Sequence, residues 1–505
     1  MKKIYINDES WQTRVAITQD DTLQNIHFWS QSGNLIEKSF YQALVTKVLP
    51  GIQTAFVDIG QEKSGFLHIS EIDRELAINR MSQSFDELEP VEKKEQEHRS
   101  SKSADIAKIL KEGERLLVQV SKEPVNEKGA KLTTCFTLPG RFLVLMPTIP
   151  RIGISKKIEA REERARLKDI VARHVPEGMG AIIRTSSELR TEQDIAADIS
   201  FLVAIWNEIL TKQKTAQIGE KIYEDVALPF QIVRDYLDTD VEEVLVDNKE
   251  TQKVLSQFVK STTPELEHKI KLYTGIEPLF ERYGIESQIK ESLKSKVDLK
   301  SGGSIVIEAT EAMTVVDVNT GRFIGRSNME DTILKTNIEA AYEVTRQLKI
   351  RNIGGLIVID FIDMASSAHR KKLFNFFEKT LKEQDRFQSV LLKISEFGLV
   401  QMTRKRSGKT LIKELTDTCK TCVGTGVTPS VTAESFALLR HIKQELMQKK
   451  LQGNLLIKLP VDIFDYISTA EYNTLFTFEK TMNCKITLES ESGLPVGTFK
   501  IITVQ

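Results

Sequence analysis

The sequence predicts an α+β protein of several domains, and three observations lead to this class. The chain has 505 residues, which is about three times the length of a typical domain. Short strand-like patterns dominate residues 1–72 and indicate antiparallel β-structure. Between residues 304 and 384, buried strands alternate with amphipathic helices, which is typical of a mixed sheet covered by helices.

The first part of the chain predicts a small antiparallel barrel. Residues 1–35 alternate like strands, and residues 40–72 contain three more strand patterns, separated by a Pro-Gly pair and by GQEKSG. Residues 76–112 are mostly charged and polar, which predicts a long inserted loop. The strand pattern at 114–123 then completes a barrel.

The rest of the chain predicts alternating strands and helices. Ile338, Ala341 and Val344 recur at helical spacing in one of these helices. A smaller α+β domain is predicted after residue 426. The predicted helices span about 189–214, 263–273, 286–293, 328–349 and 368–384, and the principal predicted strands are a hairpin at 304–318 and a buried strand at 355–361.

Composition excludes several classes of protein. With 70 Lys+Arg against 71 Asp+Glu, the net charge is −1, so any nucleic-acid surface must be a local patch. No apolar run approaches the length of about 18 residues that a membrane span needs, and the amino terminus lacks the apolar core of a signal peptide. The four cysteines are too few for a disulfide framework. We expect a soluble, cytoplasmic protein.

Two aspartates end apolar strands, in MTVVDVN and GGLIVIDF. Asp317 and Asp360 would repel each other at one sheet edge unless a cation joined them, and magnesium or manganese suits such oxygen ligands. Asn319 shares a strand face with Asp317 and could orient it. The alternative is that one aspartate caps a turn and the other forms an ion pair. Asp363 and Glu308 are nearby alternative ligands.

These motifs resemble the ribonuclease E/G family of bacterial endoribonucleases. The resemblance extends from about residue 38 to residue 426, in family order. Since no long Arg/Pro-rich tail is present, the chain resembles a short form of the family, either ribonuclease G or a short ribonuclease E, more than the long scaffold form. The motifs that carry the resemblance are AFVDIG, GFLHISEI, LVLMP, EGMGAIIRTS, VVDVNTG, IDFIDM, FGLVQMTRKR and CKTCVGTG.

The resemblance implies a domain order. We expect RNase H-like and DNase I-like subdomains with an inserted S1-type OB-fold. The implied domains are an RNase H-like subdomain in two parts (1–38 and 228–292), the OB-fold with its long loop (39–129), a 5′-phosphate sensor region (130–227), a DNase I-like catalytic subdomain (293–415), a zinc-link (416–427) and a small carboxyl-terminal domain (428–505).

The resemblance also implies an activity. The family cleaves single-stranded, AU-rich RNA with magnesium, leaves 5′-monophosphate and 3′-hydroxyl ends, and is stimulated by a 5′-monophosphate. It acts in rRNA maturation and mRNA decay. By resemblance, Asp317 and Asp360 bind magnesium, with manganese as a possible substitute, and Asn319 supports them. The alternative is a non-catalytic RNA-binding or scaffolding protein on the same fold.

By the same resemblance, four residues of the barrel bind RNA. Phe56 and Phe66 match aromatics that stack on bases, and Lys122 and Lys128 match the accompanying lysines. The alternative is that both phenylalanines belong to the barrel core.

Four further residues match the family's pocket for an RNA 5′-monophosphate: Gly140, Val144, Arg184 and Thr185. A guanidinium can fork onto phosphate oxygens, and a hydroxyl adds another bond. The alternative is an ordinary surface arginine at a strand end. Gln388 stands near the place where the family often carries a basic residue, so weaker discrimination of 5′ ends is expected.

Cys419 and Cys422 form a CxxC motif. Zinc needs four ligands, whereas Cys135 and Cys484 lack suitable spacing. The resemblance implies one zinc shared by two chains, and hence a homodimer that could pair into a tetramer. A redox pair is the alternative, which the glycine-rich flank disfavours. The basic run at 403–409 is expected to be a solvated face or an RNA-backbone contact.

Overall fold

The computed structural model describes most of the chain, namely residues 1–30, 36–73, 105–124, 129–320, 329–395, 398–406, 408–448, 454–494 and 498–504. Most of the loop predicted at 76–112, and the predicted RNA-binding Lys128, lie outside these residues. Contacts divide the chain into two units, Met1–Leu411 and Ile412–Gln505.

Three antiparallel strands open the chain and lead into a closed, OB-like barrel of five strands. The barrel pairs in the order β4-β5-β6-β8-β7, and β7 closes on β4. Alternate side chains, among them Val45, Val57 and Leu67, fill its interior, as the period of two predicts. The elements are β1 (Lys2–Asp8), β2 (Gln12–Gln19), β3 (Thr22–Ser30), β4 (Phe40–Leu49), β5 (Thr54–Asp58), β6 (Gly65–His68), α1 (Ile106–Ile109), β7 (Arg115–Lys122) and β8 (Lys131–Thr133).

A small four-stranded sheet in the order β11-β12-β10-β9 comes next. Two helices cover one of its faces, and Leu167 and Leu202 from these helices are buried against Leu143. Thr191 and Asp194 form a reciprocal capping box at the start of the second helix. The elements are β9 (Leu138–Pro139), β10 (Leu143–Met146), β11 (Ile152–Ile154), α2 (Arg161–His174), β12 (Gly180–Ile183), α3 (Glu192–Gln213) and β13 (Lys221–Tyr223).

The chain then returns to its first sheet, which has the order β15-β14-β1-β2-β3 with β14 parallel to β1. The helix predicted over 263–273 is wrong: a 3-10 helix spans Pro264–Lys269 and a strand follows it. Pairing of Ile270 with Val244 in the sheet outweighs the helical pattern. The elements are α4 (Leu228–Tyr236), β14 (Val241–Val246), α5 (Lys249–Thr262), β15 (Ile270–Leu272), α6 (Leu279–Arg282) and α7 (Ile285–Glu291).

A six-stranded mixed sheet of the first unit has the order β16-β17-β18-β19-β21-β20. Its β18 and β19 are parallel. Two helices pack on one face, where Val316, Ile359 and Leu373 share a core. The elements are β16 (Lys296–Asp298), β17 (Ser304–Ala309), β18 (Met313–Asn319), α8 (Met329–Ile350), β19 (Gly355–Asp360), α9 (Ser367–Gln384), β20 (Ser389–Leu391) and β21 (Leu399–Arg404).

The second unit is a small α/β domain with its own core, which includes Ile442, Ile457 and Ile467. Its three-stranded sheet has the order β23-β22-β24. Among the described residues, no helix has the length and apolar character needed to span a membrane. The elements are α10 (Leu411–Leu415, at the boundary between the units), α11 (Val431–Met447), β22 (Asn454–Leu459), α12 (Val461–Ala470), α13 (Tyr472–Met482), β23 (Lys485–Ser490) and β24 (Lys500–Val504).

Candidate active site

Asp317 and Asp360 lie side by side at the ends of two parallel strands. They are register partners in the β18–β19 ladder, so their Cα atoms are separated by about one strand spacing, ~4.8 Å. Both are exposed, whereas their neighbours Val316 and Ile359 point into the helix-covered core. The two carboxylates therefore share the uncovered face of the sheet, as the sequence pattern predicts.

Asn319 lies on the same face and contacts the pair directly. Its Nδ2 donates a hydrogen bond to Oδ2 of Asp317 over 2.7 Å. Burial, followed by repulsion from Asp317 and Asp363, raises the pKa of Asp360. Glu308, the other alternative ligand, is in register with Val315 rather than with Asp317. The electrostatics thus favour a cation at the aspartate pair.

A second pair of aspartates provides a contrast. Asp8 ends β1 and Asp247 follows β14, again at neighbouring parallel strands. Asp8 accepts hydrogen bonds from the hydroxyls of Thr13 and Thr251, and Asp247 accepts bonds from the Asp8 backbone N–H and the Asn7 amide. All four oxygens are satisfied internally. Within the described residues, the carboxylate of Asp360 accepts no such bond, which leaves it available for a ligand.

The donor set at Asp317 and Asp360 fits a hard divalent cation. The described residues contain no group of three or more His, Cys, Asp or Glu side chains arranged to hold a metal. Magnesium keeps several waters and binds through one or two carboxylates, so two exposed aspartates beside an amide suit it better than they suit zinc.

Phe56 and Phe66 are direct cross-strand partners on the outside of the barrel. Phe56 is 37% exposed and Phe66 is half-buried, so neither belongs to the barrel core. Lys47 is the register partner of Phe56 on the other side. Because directly opposite residues share a face, a basic and two aromatic side chains form one row across three strands.

The row continues into β8 and β7. Lys131 is the partner of Phe66, and Lys122 is the partner of Lys131. Lys131 forms an ion pair with Glu71, whereas Lys47 forms none within the described part of the chain. Lys47 and Lys131 are not among the residues predicted from the sequence.

The residues predicted to bind a 5′-phosphate meet around Arg184. Its Nη1 donates to the Gly140 carbonyl over 2.7 Å and to the Asp235 carboxylate over 2.8 Å. Val144 lies in the neighbouring strand, in register with Ile182. Thr185 follows Arg184 directly and is exposed. Arg184 is therefore held in place, which is not expected of an ordinary surface arginine.

The structure also places the basic run at 403–409 and Gln388. In the basic run at 403–409, Arg404 is buried in an ion pair with Asp385, so the expectation of a solvated face or RNA contact is wrong for this residue. Gln388, at the departure from the family pattern, is exposed just before β20.

Cys419 and Cys422 lie in a tight turn of the second unit. The backbone N–H of Val423 donates to the Cys419 carbonyl over 2.9 Å, and Val423 and Gly424 adopt positive φ. Hydrogen bonds from the backbone N–H groups of Cys422 and Thr421 lower the pKa of the Cys419 thiol. Since the thiolate is the form that binds metal, this turn fits one half of a zinc site.

Paired carboxylates at a sheet edge, in one chain with a barrel that exposes aromatic and lysine side chains, are the arrangement expected of a nuclease. The chain belongs to the ribonuclease E/G family. The model of the Ribonuclease E/G family matches residues 137–407, and the model described as "RNase E/G, Thioredoxin-like domain" matches residues 418–504. The resemblance recognised from the motifs is confirmed.

Individual relatives agree with this assignment. Ribonuclease G of Escherichia coli (strain K12) is 39% identical over 440 residues, which are 87% of each chain. Ribonuclease G of Haemophilus influenzae is 40% identical over 431 residues, 85% of each chain. Ribonuclease E of Escherichia coli (strain K12) is 34% identical over 502 residues, 98% of this chain but 45% of the relative. The chain is thus similar to ribonuclease G along most of both chains.

Proposed function

We propose that the chain is a magnesium-dependent endoribonuclease that cleaves single-stranded, AU-rich RNA to 5′-monophosphate and 3′-hydroxyl products. Membership of the ribonuclease E/G family makes it an endoribonuclease of RNA processing and decay, and rRNA maturation and mRNA decay are its proposed roles. The observation that carries the proposal is the register pairing of Asp317 with Asp360 on an open sheet face.

Each residue of this site has a definite task. Asp317 and Asp360 would hold the cation, which would supply an activated water and offset negative charge at the scissile phosphate. Asn319 fixes the orientation of the Asp317 carboxylate through its 2.7 Å hydrogen bond. The helix-covered core beneath the strands keeps both aspartates at one sheet edge, which is the rigid support that such a site requires.

The barrel row would bind the RNA strand. Phe56 and Phe66 offer faces on which bases stack, a contact of about 1–3 kcal/mol per base that tolerates different sequences. Lys47 and Lys122 stand at the two ends of the row and would contact the backbone phosphates, as would Lys128. In this assignment the barrel is S1-type, the sheet of β1 and β14 is RNase H-like, and the sheet of β18 and β19 is DNase I-like.

The two remaining sites would control and assemble the enzyme. Arg184, with Thr185, Gly140 and Val144, would bind a 5′-monophosphate and stimulate cleavage. The Cys419–Cys422 turn would bind half of a structural zinc, which a second chain completes to give a homodimer.

Cleavage of a labelled AU-rich oligonucleotide tests the proposal. Asp317→Asn and Asp360→Asn should each abolish magnesium-dependent cleavage and leave RNA binding intact, because the barrel row lies on another sheet. Asp298→Asn is the matched control, since this aspartate is exposed on the same sheet. A chelator should stop the wild type. If either variant cut RNA at the wild-type rate in saturating magnesium, the metal assignment would fail; if the wild type bound RNA without cutting it, the non-catalytic alternative would hold.

A further inference from the structure

The turn between β9 and β10, residues Gly140–Leu143, is built around the side chain of Asp198. The backbone N–H groups of Arg141, Phe142 and Leu143 all donate to this carboxylate, over 3.2, 2.9 and 3.3 Å. Asp198 projects from α3, the helix that packs beneath the sheet. Three consecutive N–H groups around one anion make a concave site of the kind that binds phosphate, and here a carboxylate of the protein fills it.

The same turn is bonded to the segment that carries Arg184. The Arg184 backbone N–H donates to the Phe142 carbonyl over 2.9 Å. The hydroxyl of Ser186 donates to the Arg141 carbonyl over 2.7 Å, and that of Ser187 donates to the Phe142 carbonyl. Since the turn's carbonyls receive these bonds, their positions fix the backbone of Arg184.

The guanidinium depends on the turn as well. Nη1 of Arg184 is engaged by the Gly140 carbonyl and by Asp235, while Nη2 and Nε have no hydrogen-bond partner among the described residues. This leaves one edge of the guanidinium with two parallel donors, the geometry that takes a phosphate in a bidentate manner. If the Gly140 carbonyl moved, the Nε–Nη2 edge of the Arg184 guanidinium would no longer be held toward a phosphate.

Gly140 lies so close to the Asp198 carboxylate that no side chain fits at position 140. A Cβ atom at position 140 would lie 2.5 Å from Oδ2 and 2.8 Å from Oδ1 of Asp198, closer than real contacts permit. Only glycine lets the turn approach the carboxylate closely enough for its N–H groups to bond. A change at either Gly140 or Asp198 should therefore displace the turn.

We propose that Asp198 is a positioning residue for recognition of the RNA 5′ end: its carboxylate holds the Gly140–Leu143 turn, whose carbonyls orient Arg184 toward a terminal phosphate. This inference rests on the proposed 5′-phosphate pocket. Asp198 does not touch the RNA. Asparagine at this position would present its NH₂ to at least one of the three N–H donors, so the turn would have to shift.

The test compares rates on one oligonucleotide with a 5′-monophosphate or a 5′-hydroxyl end. Asp198→Asn should lower the ratio of the two rates by about tenfold, toward the ratio measured for Arg184→Ala. A change of about tenfold corresponds to the loss of one hydrogen bond to a charged group. Gly140→Ala should do the same by displacing the turn, and it carries the test should Asp198→Asn not fold. Glu208→Gln, an exposed change on the same helix, should leave the ratio unchanged.

The outcomes separate this inference from the pocket itself. If Arg184→Ala removes the 5′ preference but a folded Asp198→Asn keeps it, the positioning role is wrong and the pocket stands. A purely structural role would lower both rates in parallel with an unchanged ratio, which also overturns the inference. A wild type without 5′ preference, or one whose preference survives Arg184→Ala, overturns the pocket and the inference together.

Discussion

The carboxylate of Asp385 and the guanidinium of Arg404 form a two-point ion pair in the interior of the first unit. Arg404 Nε and Nη2 donate to the two oxygens over 2.6 and 3.0 Å, and the side chains are only 2% and 1% exposed. Nη1 of Arg404 also donates to the Ile353 carbonyl, and Lys157 Nζ donates to the Asp385 carbonyl. The ion pair joins the end of α9 to strand β21, and the bond from Lys157 ties the segment after β11 to Asp385.

Asp385→Ala should lower the free energy of unfolding by about 3–5 kcal/mol, because it leaves the Arg404 charge buried without a partner. Urea unfolding monitored by circular dichroism measures this change. The double variant Asp385→Leu with Arg404→Met should recover part of the loss, since it removes both charges. A loss below about 1 kcal/mol, typical of an exposed pair, would contradict the finding of a buried ion pair.

Lys47→Ala should weaken binding of single-stranded RNA and make it less sensitive to salt. A lost phosphate contact reduces the slope of log K against log salt by about 0.7–1. Binding by fluorescence anisotropy at several salt concentrations measures the slope. Lys108→Ala, an exposed change on α1, which contributes no residue to the row, is the control. An unchanged slope would exclude Lys47 from the RNA path.

Cys419→Ser combined with Cys422→Ser should yield a protein that binds no zinc and is smaller in light scattering, because thiolates bind the metal as a set. The wild type should contain one zinc per two chains. Slow, magnesium-dependent cleavage should remain, since Asp317 and Asp360 are untouched. One zinc per chain would require ligands beyond the CxxC, and a fully dimeric variant would move the dimer contact elsewhere.

Lys349→Met should stabilise the first unit at pH 7. Burial lowers the pKa of Lys349 from 10.5 to about 8, although its Nζ donates to Gln24 Oε1 over 2.9 Å. The unfolded state therefore binds more protons between these two values, so wild-type stability rises with pH in that window and the penalty is full below it.

The advantage of Lys349→Met should thus shrink between pH 7 and about pH 9.5. Urea unfolding at both pH values measures it, with Lys335→Met, an exposed change on the same helix, as the control. An advantage that does not change with pH would mean that hydrophobic packing, rather than the lysine's charge, is responsible.

Local patterns were sufficient to predict the aspartate pair. Alternation of buried and exposed residues aims Asp317 and Asp360 at one face, and hydrophobic runs mark their strands as neighbours of the core. Asp8 and Asp247 also lie at the ends of neighbouring strands, so the pattern alone does not show which pair is open to a ligand. The difference between the pairs lies in hydrogen bonds from Thr13 and Thr251, and a sequence does not give such contacts between distant residues.

The position of Lys47 opposite Phe56 could not be predicted from residue spacing in the sequence. The β4–β5 register shifts between Val45 and Lys47, and this irregularity brings Lys47 opposite Phe56. A similar shift before Lys122 aligns it with Lys131. Because a bulge changes which residues face each other, the row exists only in the folded barrel.

The parallel pairing of β1 with β14 has a consequence for synthesis of the chain. Lys2 and Ile6 are partners of Val241 and Val246, so β1 can pair with β14 only after more than two hundred further residues have been made. The barrel strands pair mostly with near neighbours in sequence and should fold first on the ribosome, since contacts between distant segments form slowly. Until residue 246 has been translated, β1 has no parallel partner and this edge of the strand remains open.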